Sequence, residues 1–133
     1  MIPRYRAWIK EEKCFADYIE SIRYYSKEVD LCWGGICESD CFDFEDVILT
    51  QSTGREDEND KEIFDGDILK VKIMGGQSWL EVVKYNDEKS MFVSKELKRE
   101  VPESPLYDLF NTDLFVVEVI GNIYENPELL EVE

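Results

Sequence analysis

The chain has 133 residues, of which 44% are hydrophobic and 13% are aromatic, so it can bury a core in one domain or in two closely joined lobes. Its 31 acidic residues outnumber the 15 basic ones and give a net charge of −16. This charge opposes binding to nucleic-acid phosphates and to anionic membranes, and it favours solubility or a basic partner. No apolar run approaches the ~20 residues that cross a bilayer, and no apolar signal segment follows the start, so we expect a cytoplasmic protein.

Seven segments show the alternation or the β-branched runs that predict strands. In chain order they are residues 4–8, 14–19, 47–51, 68–74, 79–85, 91–93 and 115–120. Short strands joined by short turns are typical of a small barrel or a strongly bent sheet. Residues 20–46 mix two periods and give no strand or helix assignment, and within them residues 39–46 are predicted to be an acidic loop.

Turns and two short helices complete the prediction. Turn residues cluster at residues 10–13, 34–35, 65–66, 75–76 and 86–88. Ser104 as cap and Pro105 as first residue predict one short helix. Its apolar face is predicted to carry Leu106, Leu109 and Phe110. Asn126 and Pro127 predict a single helical turn near the end of the chain in the same way.

One stretch, residues 51–71, joins the two halves of the chain. The polar loop over residues 53–61 is predicted to be solvated, and Ile63-Phe64 is predicted to anchor the chain after it. Gly66 then allows a tight Asp-Gly-Asp turn, because glycine takes a positive φ at little cost. We therefore expect Gly66→Val to destabilise the fold and Asp57→Ala to have little effect.

Four segments, in order along the chain, resemble the YopX family. They are Arg6-Ala7-Trp8, Gln51-Ser52-Thr53-Gly54, Lys61-Glu62-Ile63-Phe64-Asp65-Gly66-Asp67-Ile68 and Val119-Ile120-Gly121-Asn122-Ile123-Tyr124-Glu125-Asn126-Pro127-Glu128-Leu129-Leu130. The family comprises small proteins of phages and prophages in Gram-positive bacteria, so the resemblance implies the cytoplasm of a bacterial host cell. It also implies a mostly β fold with a C-terminal SH3-like pseudo-barrel. It supplies no catalytic residues to transfer.

Residues 1–133 are accordingly expected to form a single YopX-like unit that is mostly β with minor α structure. The resemblance implies an N-terminal β lobe over residues 1–52 and an SH3-like barrel lobe with a short helix over residues 53–133. The family usually has Asp after its Ala-Trp pair, where this chain has Ile9, and residues 20–46 match no segment of the family.

The chain contains no histidine, which excludes Ser-His-Asp and Cys-His nucleophilic sites and the common histidine metal sites. Paired acids for glycoside hydrolysis can be proposed in any chain this acidic, and the sequence gives no separation between them. The pairs Gly34-Gly35 and Gly75-Gly76 lack the Lys and Ser/Thr of a phosphate loop. We therefore expect no catalytic residues, no cofactor-binding residues and no enzyme activity.

Four cysteines, Cys14, Cys32, Cys37 and Cys41, are expected to stay as thiols in the cytoplasm. Zinc is the alternative, because it binds four thiolate ligands in a tetrahedron. The spacings C-x4-C and C-x3-C differ from the C-x2-C pairs of zinc ribbons, so unligated thiols are the favoured interpretation.

Five acids lie around the central turn: Asp57, Asp60, Glu62, Asp65 and Asp67. Their carboxylate oxygens are the ligands that Ca²⁺ and Mg²⁺ prefer. Counted from Asp57, the order fails the EF-hand pattern, because the sixth position is Glu62 rather than glycine. A solvated loop and a turn explain these residues, and no metal is expected.

Aromatic side chains could stack nucleobases, but such sites need a basic groove, so core packing or a protein interface is favoured. The residues concerned are Tyr5, Trp8, Trp33, Trp79 and Phe92.

Two functions of different classes follow. The first is a non-enzymatic protein-interaction or assembly module of phage or prophage origin, which forms a homo-oligomer through open sheet edges or binds a phage or host protein. The second is an acidic nucleic-acid mimic that occupies a basic site on a DNA-binding protein, which requires the acids to form a stripe on one face. An enzyme using carboxylates and a divalent metal is less favoured than both. Nucleic acid, membrane and cofactors are not expected as partners.

Overall fold

The structure is a computed structural model that describes residues 2–34 and 39–131. Within these residues it is mostly β, as predicted, with twelve strands and three short 3-10 helices. The strands are β1 (Tyr5–Ile9), β2 (Cys14–Phe15), β3 (Tyr18–Arg23), β4 (Glu28–Cys32), β5 (Asp40–Asp43), β6 (Val47–Glu56), β7 (Glu62–Phe64), β8 (Asp67–Ile73), β9 (Ser78–Asn86), β10 (Met91–Glu96), β11 (Ser104–Pro105) and β12 (Phe115–Asn122). The 3-10 helices are Phe44–Asp46, Leu106–Leu109 and Pro127–Leu130.

The chain divides into two compact units, Met1–Ser52 and Thr53–Glu133. In the first unit, β1 pairs antiparallel with β2 and with the beginning of β6, and β4 pairs antiparallel with β3 and β5. Its core consists of Ala7, Ile9, Val29, Leu31 and Val47. The strand β6 continues into the second unit, where β7 lies next to it.

The second unit is built on a five-stranded antiparallel sheet in the order β11-β10-β9-β8-β12. Alternation puts Leu69 and Val71 of β8 on the same face as Val117 of β12, because Val71 and Val117 are register partners. This face is the core of the unit, and its buried residues are Ile63, Leu69, Val71, Val83, Leu106, Leu109 and Val117. The SH3-like topology of this lobe stays a prediction.

The strands predicted from alternation are confirmed, and two further strands, β4 and β5, lie within residues 20–46, for which no strand was predicted. The predicted return strand over residues 14–19 is split, because β2 ends at Phe15 and β3 begins at Tyr18. The predicted acidic loop over residues 39–46 is wrong: it contains β5 and a 3-10 helix. The reason is pairing with β4, which places Phe42 opposite Val29.

The two predicted helices are single 3-10 helices, and their caps differ from the prediction. Ser104 is not the cap of the first, because it lies in β11 and is the register partner of Ser94. Asn126 does precede Pro127 at the start of the second. Its side-chain Oδ1, however, accepts a hydrogen bond from the backbone N–H of Asn122 at 3.2 Å, so it closes a turn after β12.

The Asp-Gly-Asp corner confirms the predicted role of Gly66, whose φ is +92°. The N–H of Gly66 donates to the carbonyl of Val83 at 2.8 Å, and its own carbonyl accepts from the N–H of Ile123 at 2.9 Å. A Cβ at this position would lie 3.0 Å from Cε2 of Tyr124. The corner therefore needs glycine both for its backbone conformation and for the close approach of Tyr124.

Gly66→Val is expected to lower the free energy of unfolding by about 3 kcal/mol, because a β-branched residue is strained at positive φ and also meets the Tyr124 ring. Gly75→Val is the matched control: its φ is +72°, but nothing lies within 4 Å of an added Cβ. We expect the control to lose about half as much. Urea unfolding of both variants measures the difference, and equal losses would show that the Tyr124 contact contributes nothing.

Candidate functional site

The five acids of the central turn do not form one cluster. Asp57 and Asp67 are buried, whereas Asp60 is exposed. Among residues 2–34 and 39–131, no group of three or more Cys, Asp or Glu side chains is placed to hold a metal ion. Asp67 Oδ2 instead accepts a hydrogen bond from the backbone N–H of Phe64 at 2.8 Å, which closes the Asp-Gly-Asp corner.

Asp57 is the acid that sequence reasoning misplaced, since it is only 7% exposed although it was predicted to lie in a solvated loop. Its Oδ1 accepts hydrogen bonds from the backbone N–H groups of Asn59 and Lys61, both at 2.9 Å. Its Oδ2 accepts from the backbone N–H of Val119 at 2.8 Å. One carboxylate thus satisfies three backbone donors, two local and one distant.

The turn that begins at Asp57 and Glu58, which we call the Asp57-Glu58 corner, closes part of a sheet edge. β12 is the last strand of its sheet, so one side of its backbone has no neighbouring strand. On that side, the carbonyl of Val117 accepts from the N–H of Glu58 at 3.0 Å, next to the bond from Val119 to Asp57. The Asp57-Glu58 corner therefore occupies hydrogen-bonding groups that an edge strand otherwise presents to another chain.

The pKa of Asp57 is lowered from its usual value by this environment. Burial is the largest single influence and acts in the opposite direction, because it disfavours the charged form. The N–H groups of Val119, Lys61 and Asn59, together with the positive charge of Lys61, outweigh it. The carboxylate is therefore held in its charged form as part of the fold.

Another buried acid, Glu81 of β9, was not singled out from the sequence. It is 7% exposed and faces the core because β9 alternates Trp79, Glu81 and Val83 on that side. Its Oε2 accepts from Nε1–H of Trp79 and its Oε1 from Oγ–H of Ser94, both at 2.7 Å. The alternation alone could have identified Glu81, since a strand that turns Val83 inward also turns Glu81 inward.

Glu81 lines a small cavity of about 180 Å³ with Glu96 and Asp108. Glu96 is the register partner of Glu81 and is paired with Arg99, whose Nε lies 2.7 Å from its Oε1. Ser94 is only 1% exposed, so the Ser94–Glu81 hydrogen bond is not accessible to a substrate hydroxyl or ester. This network stabilises the core-facing side of the sheet and offers no nucleophile.

The cysteines only partly match the expectation that all four are thiols. Cys14 and Cys41 are free thiols, but Cys32 is disulfide-bonded, so the expectation is wrong for Cys32. The expectation rested on a reducing cytoplasm, whereas a disulfide depends on two sulfur atoms lying within bonding distance. Cys37 lies outside the described residues. A hydrogen bond to Glu28 raises the pKa of Cys41, so its thiol is held neutral and is a poor nucleophile.

Four of the five aromatic side chains singled out from the sequence pack against another ring of their own unit. Ring centroids are 4.9 Å apart for Trp8 and Phe15, and 6.2 Å apart for Trp79 and Phe115. Both contacts are edge-to-face, as core aromatic pairs prefer. Tyr5 is half-buried. Phe92 and Trp33 form pairs of the same kind with Tyr85 and Phe42.

An open groove of about 440 Å³ lies along the solvent-facing side of β8 and β12. Lys70 and Lys72 line it on β8, Val116 and Glu118 line it on β12, and Glu58 lies beside β12. Met74 lines its end and is 70% exposed, and Leu114, whose carbonyl accepts from the N–H of Met74, is 59% exposed beside it. Charged and apolar side chains therefore share one accessible surface, which we call the β8–β12 groove.

The chain as a whole matches a known family. A family model described as YopX protein matches residues 4–131. The chain belongs to the YopX family. The resemblance read from the four sequence segments is therefore confirmed.

Two crystal structures show the same architecture as this YopX-family chain. Protein EF1440 from Enterococcus faecalis is 27% identical, with a TM-score of 0.62, and the similarity covers 98% of this chain and 99% of that one. Protein YopX from Bacillus subtilis is 21% identical, also with a TM-score of 0.62, covering 96% and 97% of the two chains. No curated protein matches. No helix among the described residues has the length and apolar character to cross a membrane.

Asp57→Ala is expected to lower the free energy of unfolding by about 3 kcal/mol, because it leaves three backbone N–H groups without their charged acceptor. This reverses the small effect expected from the sequence alone. Glu56→Ala, at an exposed position of β6, removes the same charge and is the control, with an expected loss below about 0.5 kcal/mol. Chemical unfolding compares the two; similar losses would contradict the assigned role of Asp57.

The contribution of Asp57 to stability is expected to depend on pH. Its pKa is lowered in the folded state, so its contribution is complete above the unfolded value, about 3.9, and is lost as pH falls through the folded value. The difference in unfolding free energy between the wild type and Asp57→Asn should be constant near neutral pH and should shrink below about pH 4. Unfolding curves at a series of pH values measure it, and a difference that grows on acidification would refute the assignment.

Proposed function

We propose that this chain is a non-enzymatic protein-interaction or assembly module, of the phage or prophage origin that the family resemblance implies. The observation that carries the proposal is the β8–β12 groove, where exposed Met74 and Leu114 adjoin the charged side chains of a five-stranded sheet. Large apolar side chains exposed next to charged ones are typical of surfaces that meet other proteins.

The buried polar groups support a non-enzymatic role. Three acids of the described residues are buried, Asp57, Asp67 and Glu81, and each accepts at least one hydrogen bond from a donor of the fold. A general base needs an oxygen that reaches a substrate proton, and these oxygens are occupied in holding a turn and a strand. We propose no cofactor for the same reason.

Electrostatics supports a protein partner over a nucleic acid or a membrane. The net charge of −16 repels phosphates and anionic lipid headgroups. The outer face of the five-stranded sheet carries Lys70, Lys72, Lys84 and Lys95 by alternation along their strands. Because lysines interrupt that face, it does not present the unbroken stripe of acids that a nucleic-acid mimic needs.

Sedimentation velocity of the purified wild-type chain over a wide concentration range tests the proposal. We expect species heavier than the 15.7 kDa monomer, with a population that increases with concentration. A chain that stays a monomer at every concentration and also binds none of the proteins encoded beside it would overturn the proposed function.

A further inference from the structure

The two walls of the β8–β12 groove carry opposite charges. β8 contributes Lys70 and Lys72, and the other wall contributes Glu118 from β12 and Glu58 from the corner beside it. Lys70 and Glu118 are register partners on adjacent strands. Within the described residues, however, neither of them forms an ion pair or a side-chain hydrogen bond, so both charges stay available to a partner.

The groove continues into an apolar end formed by the same two strands. The N–H of Met74 donates to the carbonyl of Leu114 at 3.2 Å, which places these two exposed residues side by side just beyond β8 and before β12. The next pair along the strands, Ile73 and Phe115, lies on the opposite, core-facing side of the sheet, so the apolar end consists of Met74 and Leu114. Apolar and charged parts of the surface therefore follow one another along a single strand direction.

We propose that the β8–β12 groove is a self-association surface that takes the same groove of a second copy of this chain. The proposal rests on the proposed function and specifies its partner. A twofold axis running between β8 and β12, parallel to the strands, places the β8 of each copy over the β12 of the other. Two residues that are register partners on β8 and β12 within one copy then face each other between the two copies.

Charge complementarity selects this occupant. Under that axis, Lys70 of one copy faces Glu118 of the other, and Met74 of one copy faces Leu114 of the other. Each contact occurs twice, as an isologous interface requires. A purely basic partner would meet Lys70 and Lys72, and a purely acidic one would meet Glu58 and Glu118, whereas the second copy is complementary to both walls.

The total charge of each copy opposes association at long range, but salt limits this effect. At physiological ionic strength the screening length is about 8 Å, so charges distant from the groove interact weakly between copies. The opposed Lys and Glu side chains lie in contact and are screened less. Burial of Met74 and Leu114 adds an attraction that does not depend on salt.

A charge-exchange experiment tests the proposal. The variant Lys70→Glu with Lys72→Glu makes both walls acidic, and the variant Glu58→Lys with Glu118→Lys makes both walls basic. Each alone should self-associate at least about tenfold more weakly than the wild type, because like charges face one another. An equimolar mixture of the two should form mixed dimers with near wild-type affinity. In a mixed dimer, residue 70 of each copy again faces a residue 118 of opposite charge in the other copy.

The control is Lys89→Glu with Lys98→Glu, which makes the same change in net charge as Lys70→Glu with Lys72→Glu, but at two exposed positions outside the groove. It should self-associate nearly as the wild type does, and circular dichroism checks that all variants are folded. Wild-type self-association that neither variant weakens, or a mixture that does not recover, overturns the groove assignment and leaves the proposed function in place. A wild type that is strictly monomeric overturns the groove assignment as well, and any other protein bound there would then be the occupant.

Discussion

The carboxylate of Asp57 joins a local turn to a distant strand, and the closure of the sheet edge at β12 depends on it. Two of its three hydrogen bonds close the turn over residues 57–61, and the third reaches Val119, 62 residues further along the chain. Loop closure of that length costs conformational entropy, which a charge-assisted hydrogen bond in a sheltered position helps to offset. The turn and the sheet edge are therefore expected to form and to unfold together.

The pattern of strands could be predicted because alternation is local, whereas the functions of particular acids could not. Residues 68–74 and 79–85 show their period in the sequence, and β8 and β9 lie there. Residues 20–46 gave no assignment because β4 is stabilised by pairing with β3 and β5, which a local pattern does not show. Asp57 was predicted to be solvated because one of its three donors, the N–H of Val119, lies far away in the sequence, in β12. The groove was also missed, since it requires knowledge of which strands are neighbours.

The acidic residues of the chain occupy two kinds of position, buried and surface-exposed, which the composition does not distinguish. Asp57 and Glu81 are inside the fold, where their oxygens accept hydrogen bonds from donors of the fold. Glu58 and Glu118 are on the accessible surface opposite Lys70 and Lys72. A count of acids therefore predicts solubility, but recognition depends on the few positions where acids and lysines face each other across a groove.

The protection of the sheet edges explains why association through a face is the better account for the second unit. Edge strands expose hydrogen-bonding groups that pair readily with other chains. Here the corner at Asp57 and Glu58 occupies those of β12 at Val117 and Val119, and the opposite edge is the two-residue β11, in which Pro105 has no N–H to donate. With both edges restricted in this way, the charged and apolar side chains of the β8–β12 groove determine which partner the sheet accepts.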